Sequence, residues 1–238
     1  MQTRFLKIVI VLLFPIVVSA QSQNQKLLQG DSLFRAKQYT QAFGLYQSIL
    51  SAKNYTPSML LKMAYIQEGL GHVGPCLYYL NLYQLASGDE QASAKMEELA
   101  QKSQLEGYQL SQQDTAKEWL GQHLSSFSFL LLGGSFFLLV LTHVQKNKHK
   151  TYLPFVITSL AFMIVTVWAS NINTAYKVIA SSPHTYVLDA PSAGGTVLEI
   201  LSEGHRMEAT GKKDVWKKVI WRGKEAYIRS SQLYNVSF

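Results

Sequence analysis

Residues 176–228, YKVIASSPHTYVLDAPSAGGTVLEILSEGHRMEATGKKDVWKKVIWRGKEAYI, decide the fold of the second half of the chain. Short β-rich runs alternate there with turn residues. Tyr176–Ala180, Thr185–Leu188, Val197–Leu201, Arg206–Thr210, Trp216–Trp221 and Glu225–Ile228 read as strands, being rich in β-branched and aromatic residues. Ser181-Ser182-Pro183, the loop 190–195, Glu203-Gly204 and Arg222-Gly223-Lys224 read as the turns between them. Five or six short strands in about sixty residues predict a small, partly open all-β barrel over residues 175–238.

Upstream of this segment the composition changes. The whole chain is 47% hydrophobic and only 16% charged. Its apolar residues gather in three blocks: Phe5–Val18, Leu124–Val144 and Leu153–Ile172. The first has the form of a secretory leader over 1–20. Arg4 and Lys7 supply its basic start, Ile8–Val18 its apolar run, and Val18-Ser19-Ala20 a small-residue cleavage site. An uncleaved anchor is the other reading, disfavoured by an apolar run short of the roughly 20 residues that span a bilayer. The second and third blocks contain no Asp, Glu, Lys or Arg. One such side chain at mid-membrane costs roughly 2.5–3.5 kcal/mol, so their absence predicts transmembrane helices over 124–144 and 153–172. Trp119 and Trp168 fit interfacial positions, and Pro154 fits the first turn of the second helix.

The formal charge of +7 follows the same organisation. The loop 145–152 carries Lys146, Lys148 and Lys150 and no acid, whereas residues 21–123 hold eight basic against nine acidic side chains. By the positive-inside rule the loop is cytoplasmic. The expectation is an inner-membrane protein with two spans and both flanking domains periplasmic. A basic stripe with stacking aromatics, which nucleic-acid binding requires, is absent from the sequence pattern, so no nucleic-acid partner is expected. With Cys76 as the single cysteine, no intramolecular disulfide forms.

Residues 25–118, within a domain expected over 21–118, read as helical throughout. Two offsets of 34 residues recur: Gly30 with Ala64, and Ala42 with Cys76. Leu33, Tyr39, Ala42, Tyr46 and Leu50 mark a first unit, and Leu60, Ala64, Gly71, Cys76 and Leu80 a second. Small residues at matching places let paired helices approach. The spacing resembles the tetratricopeptide repeat, a helix–turn–helix unit of 34 residues. The family's early tryptophan is missing from both units, and Asn54 stands where the first unit would end in proline. An ordinary helical hairpin bundle is the alternative. A more polar helix near Glu90–Glu106 would cap the array.

The order of elements in 176–234 resembles the bacterial SH3-like domain. The motifs that carry the likeness are Asp189-Ala190-Pro191-Ser192, Leu201-Ser202-Glu203-Gly204, Val215-Trp216-Lys217-Lys218-Val219 and Gly223-Lys224-Glu225-Ala226-Tyr227-Ile228, with Ala226 in place of the usual glycine. Taken whole, the fold class is a multidomain membrane protein: an all-α TPR-like repeat domain, a two-helix transmembrane hairpin and an SH3-like barrel. That order is similar to the BatE-like proteins of the Bacteroidota aerotolerance (Bat) operon. Gly88-Asp89-Glu90, Lys95–Ala100 and Gly107-Tyr108 add to the likeness. The resemblance implies a membrane-bound scaffold working with operon proteins that carry von Willebrand factor A-type domains and with a MoxR-type ATPase. It also implies a part in aerotolerance.

Candidate binding residues are aromatic. Tyr78, Tyr79 and Tyr83 mark a partner groove on the repeat domain, with inter-helix packing as the plain alternative. Trp216 and Tyr227 mark a ligand groove on the SH3-like domain, with core packing equally open. Catalytic signatures are missing. The six histidines are scattered without metal-ligand spacing, no phosphate-cradling glycine loop occurs, and Gly133-Gly134-Ser135 lacks a nucleophile elbow's flanks. The expected function is therefore a non-enzymatic scaffold for protein–protein interaction, without catalytic residues, metal or cofactor. The alternative is an envelope sensor whose SH3-like domain binds peptidoglycan or peptide.

Overall fold

The computed structural model describes residues 23–109, 129–130, 133–137, 153–170 and 175–238. The chain divides into two compact units: Met1–Gln109 together with Tyr176–Phe238, and Leu110–Ala175.

In the first unit, α1 covers residues 23–35, followed by α2 (Tyr39–Ser51), α3 (Pro57–Gly69), α4 (Val73–Ser87) and α5 (Glu90–Lys102). Local chemistry sets their ends. Thr56 caps α3 by accepting from the Met59 N–H, with Pro57 at the first position. Asp89 caps α5 by accepting from the Gln91 N–H, and Glu90 and Lys102 complement its dipole. The α1–α2 and α3–α4 turns each hinge on a left-handed residue, Lys37 (φ 61°) and Gly71 (φ 77°), 34 positions apart. Gly30 shows why a small residue recurs at that spacing. A Cβ there would lie 2.8 Å from the Tyr46 ring, and Tyr46 is wholly buried. Around Tyr46 the core gathers Met59, Leu60, Met63, Leu77 and Met96. Ion pairs join the odd-numbered helices along one face: Lys62 to Asp31 at 2.8 Å, and Lys95 to Glu68 at 3.0 Å.

Seven strands follow: β1 (Tyr176–Ala180), β2 (Thr185–Leu188), β3 (Val197–Leu201), β4 (Arg206–Lys213), β5 (Trp216–Trp221), β6 (Lys224–Arg229) and β7 (Leu233–Asn235). They form one antiparallel sheet in the order β3-β2-β6-β5-β4-β1-β7. Lys217, Val219 and Trp221 of β5 point inward while Trp216, Lys218 and Ile220 are half-exposed, the period of two that a one-sided sheet demands.

The helices and the sheet are held together by residues 105–108. The Arg206 N–H donates to the Glu106 carbonyl, and the Glu106 N–H donates to His205 Nδ1. Tyr108, 3% exposed, donates its hydroxyl to the Gly204 carbonyl at 2.8 Å. Arg206 donates from Nε to the Gly107 carbonyl and from Nη1 to Asn81 of α4, with its guanidinium 4.4 Å from the Tyr108 ring centre. Arg222 closes the edge with two hydrogen bonds to the Glu106 carboxylate.

In the second unit, α6 runs over Leu153–Ser170. The Ser159 hydroxyl meets that of Ser135 at 3.0 Å. These residues correct the expected architecture. Among the described residues no helix is long and apolar enough to cross a membrane. The expected multidomain membrane fold with a hairpin over 124–144 and 153–172 is thereby overturned. With it falls the inner-membrane placement with periplasmic domains. What stands is helices combined with a seven-stranded antiparallel sheet. That sheet runs from β3 at one edge to β7 at the other. The leader 1–20, the loop 145–152, Trp119 and most of 124–144 lie outside the described residues, as does the Trp168 side chain.

Candidate functional surfaces

Phe34 of α1, Tyr39 at the start of α2 and Tyr65 of α3 form an aromatic cluster at the helix surface. Phe34, Tyr39 and Tyr65 meet edge to face, with ring centres 5.4, 5.8 and 6.0 Å apart. Tyr65 keeps 55% of its surface exposed, and Leu61, one turn earlier in α3, keeps 43%. An exposed ring beside an aliphatic, braced from below, is what partner surfaces use as an anchor.

The polar groups beneath brace that face. Asp31 Oδ1 accepts from Tyr46 Oη at 2.7 Å and from Lys62 Nζ at 2.8 Å. Burial raises the Asp31 carboxyl, but the hydrogen bonds from Lys62 and Tyr46 and the nearby positive charges outweigh it and leave the group below its ordinary range. Lys62 Nζ also lies 5.8 Å from the Phe34 ring centre.

The residues singled out in the sequence occupy different places. Tyr78 stacks on Tyr234 of β7 at 4.8 Å and contacts Tyr79, which is 7% exposed and meets Phe43 edge to face. Tyr83 donates to the carboxylate of Asp89, the α5 cap. These three are thus spread over the sheet contact, the helical core and a helix cap, rather than one groove. The neighbour Asp89 raises the Tyr83 phenol, while burial raises those of Tyr78 and Tyr79.

Trp216 and Tyr227 do share a face. Trp216 pairs with Lys213 and Arg229, and Lys218 pairs with Tyr227, so the five residues lie on the outer side of β4, β5 and β6. Lys218 is held to Glu225 at 2.6 Å. Two half-exposed rings among three cations suit an anionic or carbohydrate ligand.

Reactive chemistry is sparse. Cys76 is buried, and burial, followed by the charge of Glu68, pushes its thiol up to about 12, away from the thiolate. Among the described residues no group of three His, Cys, Asp or Glu is placed to hold a metal.

Sequence reasoning missed Phe34 and Tyr65. Their signal was an aromatic one turn from a charged residue on successive odd helices, which a search for small-residue offsets passes over. The chain matches no protein-family model, no curated protein and no solved structure.

Proposed function

We propose that the protein is a non-enzymatic adaptor whose helical face, centred on Tyr65, holds a protein partner. The observation that carries this reading is the Phe34–Tyr39–Tyr65 cluster, in which the exposed Tyr65 ring rests on two half-buried rings above a charge-braced core. Aromatic anchors of this kind supply most of the energy of an interface, while their surroundings exclude water. Proteins with von Willebrand factor A-type domains and a MoxR-type ATPase, the partners that the operon resemblance implies, are the first to test.

A photo-crosslinking amino acid at position 65 of the full chain, activated in cells and read by mass spectrometry, tests the reading. One dominant protein adduct is expected, lost when Phe34→Ala removes the supporting ring. Adducts no more numerous than at an exposed control position such as Gln47 of α2 contradict it.

A second reading has its own support. The outer sheet face of Trp216, Tyr227, Lys213, Lys218 and Arg229 fits a peptide or peptidoglycan strand. Retention of the full chain on purified peptidoglycan, reduced by Trp216→Ala, is its expected outcome. Equal retention of chain and variant removes it.

A further inference from the structure

The start of α1, the end of α2 and the start of α3 enclose a cavity of about 370 Å³. Ile49 and Met59, both within the helical core, form its floor with Leu27. Asn24 and Asn54 stand at its rim, and no charged side chain lines it. Gln23 also lines it, with its Oε1 buried and without a hydrogen-bond partner. A buried acceptor in that state calls for a donor.

The mouth of the cavity is the Tyr55 ring, and the chain's own Phe238 lies on it, stacked at 3.7 Å with 12° between the planes. Both rings remain partly exposed, at 39% and 47%. Two residues earlier, Val236 packs against the helical core, and two before that Tyr234 stacks on Tyr78. Every second side chain of one extended segment therefore rests on the helices. The helices already accept an aromatic-x-aliphatic-x-aromatic strand, and its last ring ends at the cavity.

We propose that this cavity is a binding site for an extended, uncharged peptide segment of a partner. The partner's aromatic ring replaces Phe238 on Tyr55, its next aliphatic side chain fills the floor of Leu27, Ile49 and Met59, and one of its backbone N–H groups donates to Gln23. Phe238 is the internal competitor. This deepens the adaptor reading, on which it rests, by naming the class of partner segment.

The probe is the peptide Tyr-Asn-Val-Ser-Phe-Leu-Leu with an N-terminal fluorophore, titrated by anisotropy against the full chain. Removing the competitor with Phe238→Ala raises its affinity roughly fivefold, because an occupied site lowers apparent affinity by the competent fraction. Within the Phe238→Ala background, Tyr55→Ala and the cavity-filling Leu27→Trp each weaken binding by about tenfold, as loss of an anchor does. Changing salt from about 50 to about 500 mM leaves binding nearly unaltered, since no charge lines the site. A benzophenone in place of the probe's first leucine labels Leu27 or Met59 in the Phe238→Ala chain, a readout independent of the folding of the other variants. Non-saturable binding to the Phe238→Ala chain, or labelling confined to other residues, overturns the proposal. Adducts at position 65 that persist without peptide binding sink the cavity alone and leave the adaptor reading intact.

Discussion

At the residue scale the polar groups beneath the helical face decide most. Tyr46 is wholly buried, and its hydroxyl reaches the Asp31 carboxylate. Tyr46→Phe keeps the ring packing and removes one charge-assisted hydrogen bond. The expected loss is about 1.5–3 kcal/mol in urea unfolding, the range for hydrogen bonds to charged groups. His205 gives a second prediction. Burial is the main cause that holds its pKa below the ordinary 6.5, outweighing the carboxylates of Glu106 and Glu199, with Arg222 adding to the lowering. The folded chain therefore refuses a proton that the unfolded chain takes up near pH 6.5. The stability this contributes is full above that pH and is lost as pH falls through the lowered folded value. Protonation also removes the acceptor that the Glu106 N–H uses. Urea midpoints should drop between pH 7.5 and 5.5, and the drop should shrink in His205→Gln. The lowered carboxyls of Glu106 and Asp31 act only at more acid pH, below their ordinary values of 4.5 and 3.8.

At the scale of elements, caps and turns show what the sequence discloses and what it hides. The strands fall in the windows where Val, Ile and Trp alternate with Gly and Pro turns, and α3 begins at the Thr56-Pro57 pair. Both are local signals. The segment 105–108 has no such signature, because its conformation answers to residues about a hundred positions away. Within it Gly107 is the one position that glycine alone fits: its φ is +94°, and a Cβ there would run into the Arg206 carbonyl. Gly107→Ala should cost roughly 2–5 kcal/mol, combining overpacking with a left-handed backbone. The check is a thermal melt, set beside Gly44→Ala, where the added Cβ meets nothing within 4 Å. The cap at α5 is worth less. Asp89→Ala should cost about 1 kcal/mol, with most of the loss appearing as faster amide exchange in the first turn of α5. Apolar runs misled at this scale, since the sequence of α6 reads as a span while the helix has 18 residues and includes Ser159 bonded to Ser135. The aromatic candidates misled in part. Tyr78, Tyr79 and Tyr83 look alike in sequence, yet their partners, Tyr234, Phe43 and Asp89, come from three different elements.

At the scale of the first unit, helices and sheet form one body rather than two domains joined by a linker. Arg206 links the parts, bonded to Gly107 and Asn81 and lying over the Tyr108 ring. In the proposed adaptor role, a partner held at Tyr65 would then keep a fixed separation from the sheet. The measurement that tests this unity most directly is native-state amide hydrogen exchange at Arg206 and Glu106. If helices and sheet form one body, both amides exchange with protection comparable to the cores of α4 and β5, and Arg206→Ala lowers protection at the two together. Rapid exchange at both sites in the unaltered chain, with α4 and β5 still protected, would contradict the account.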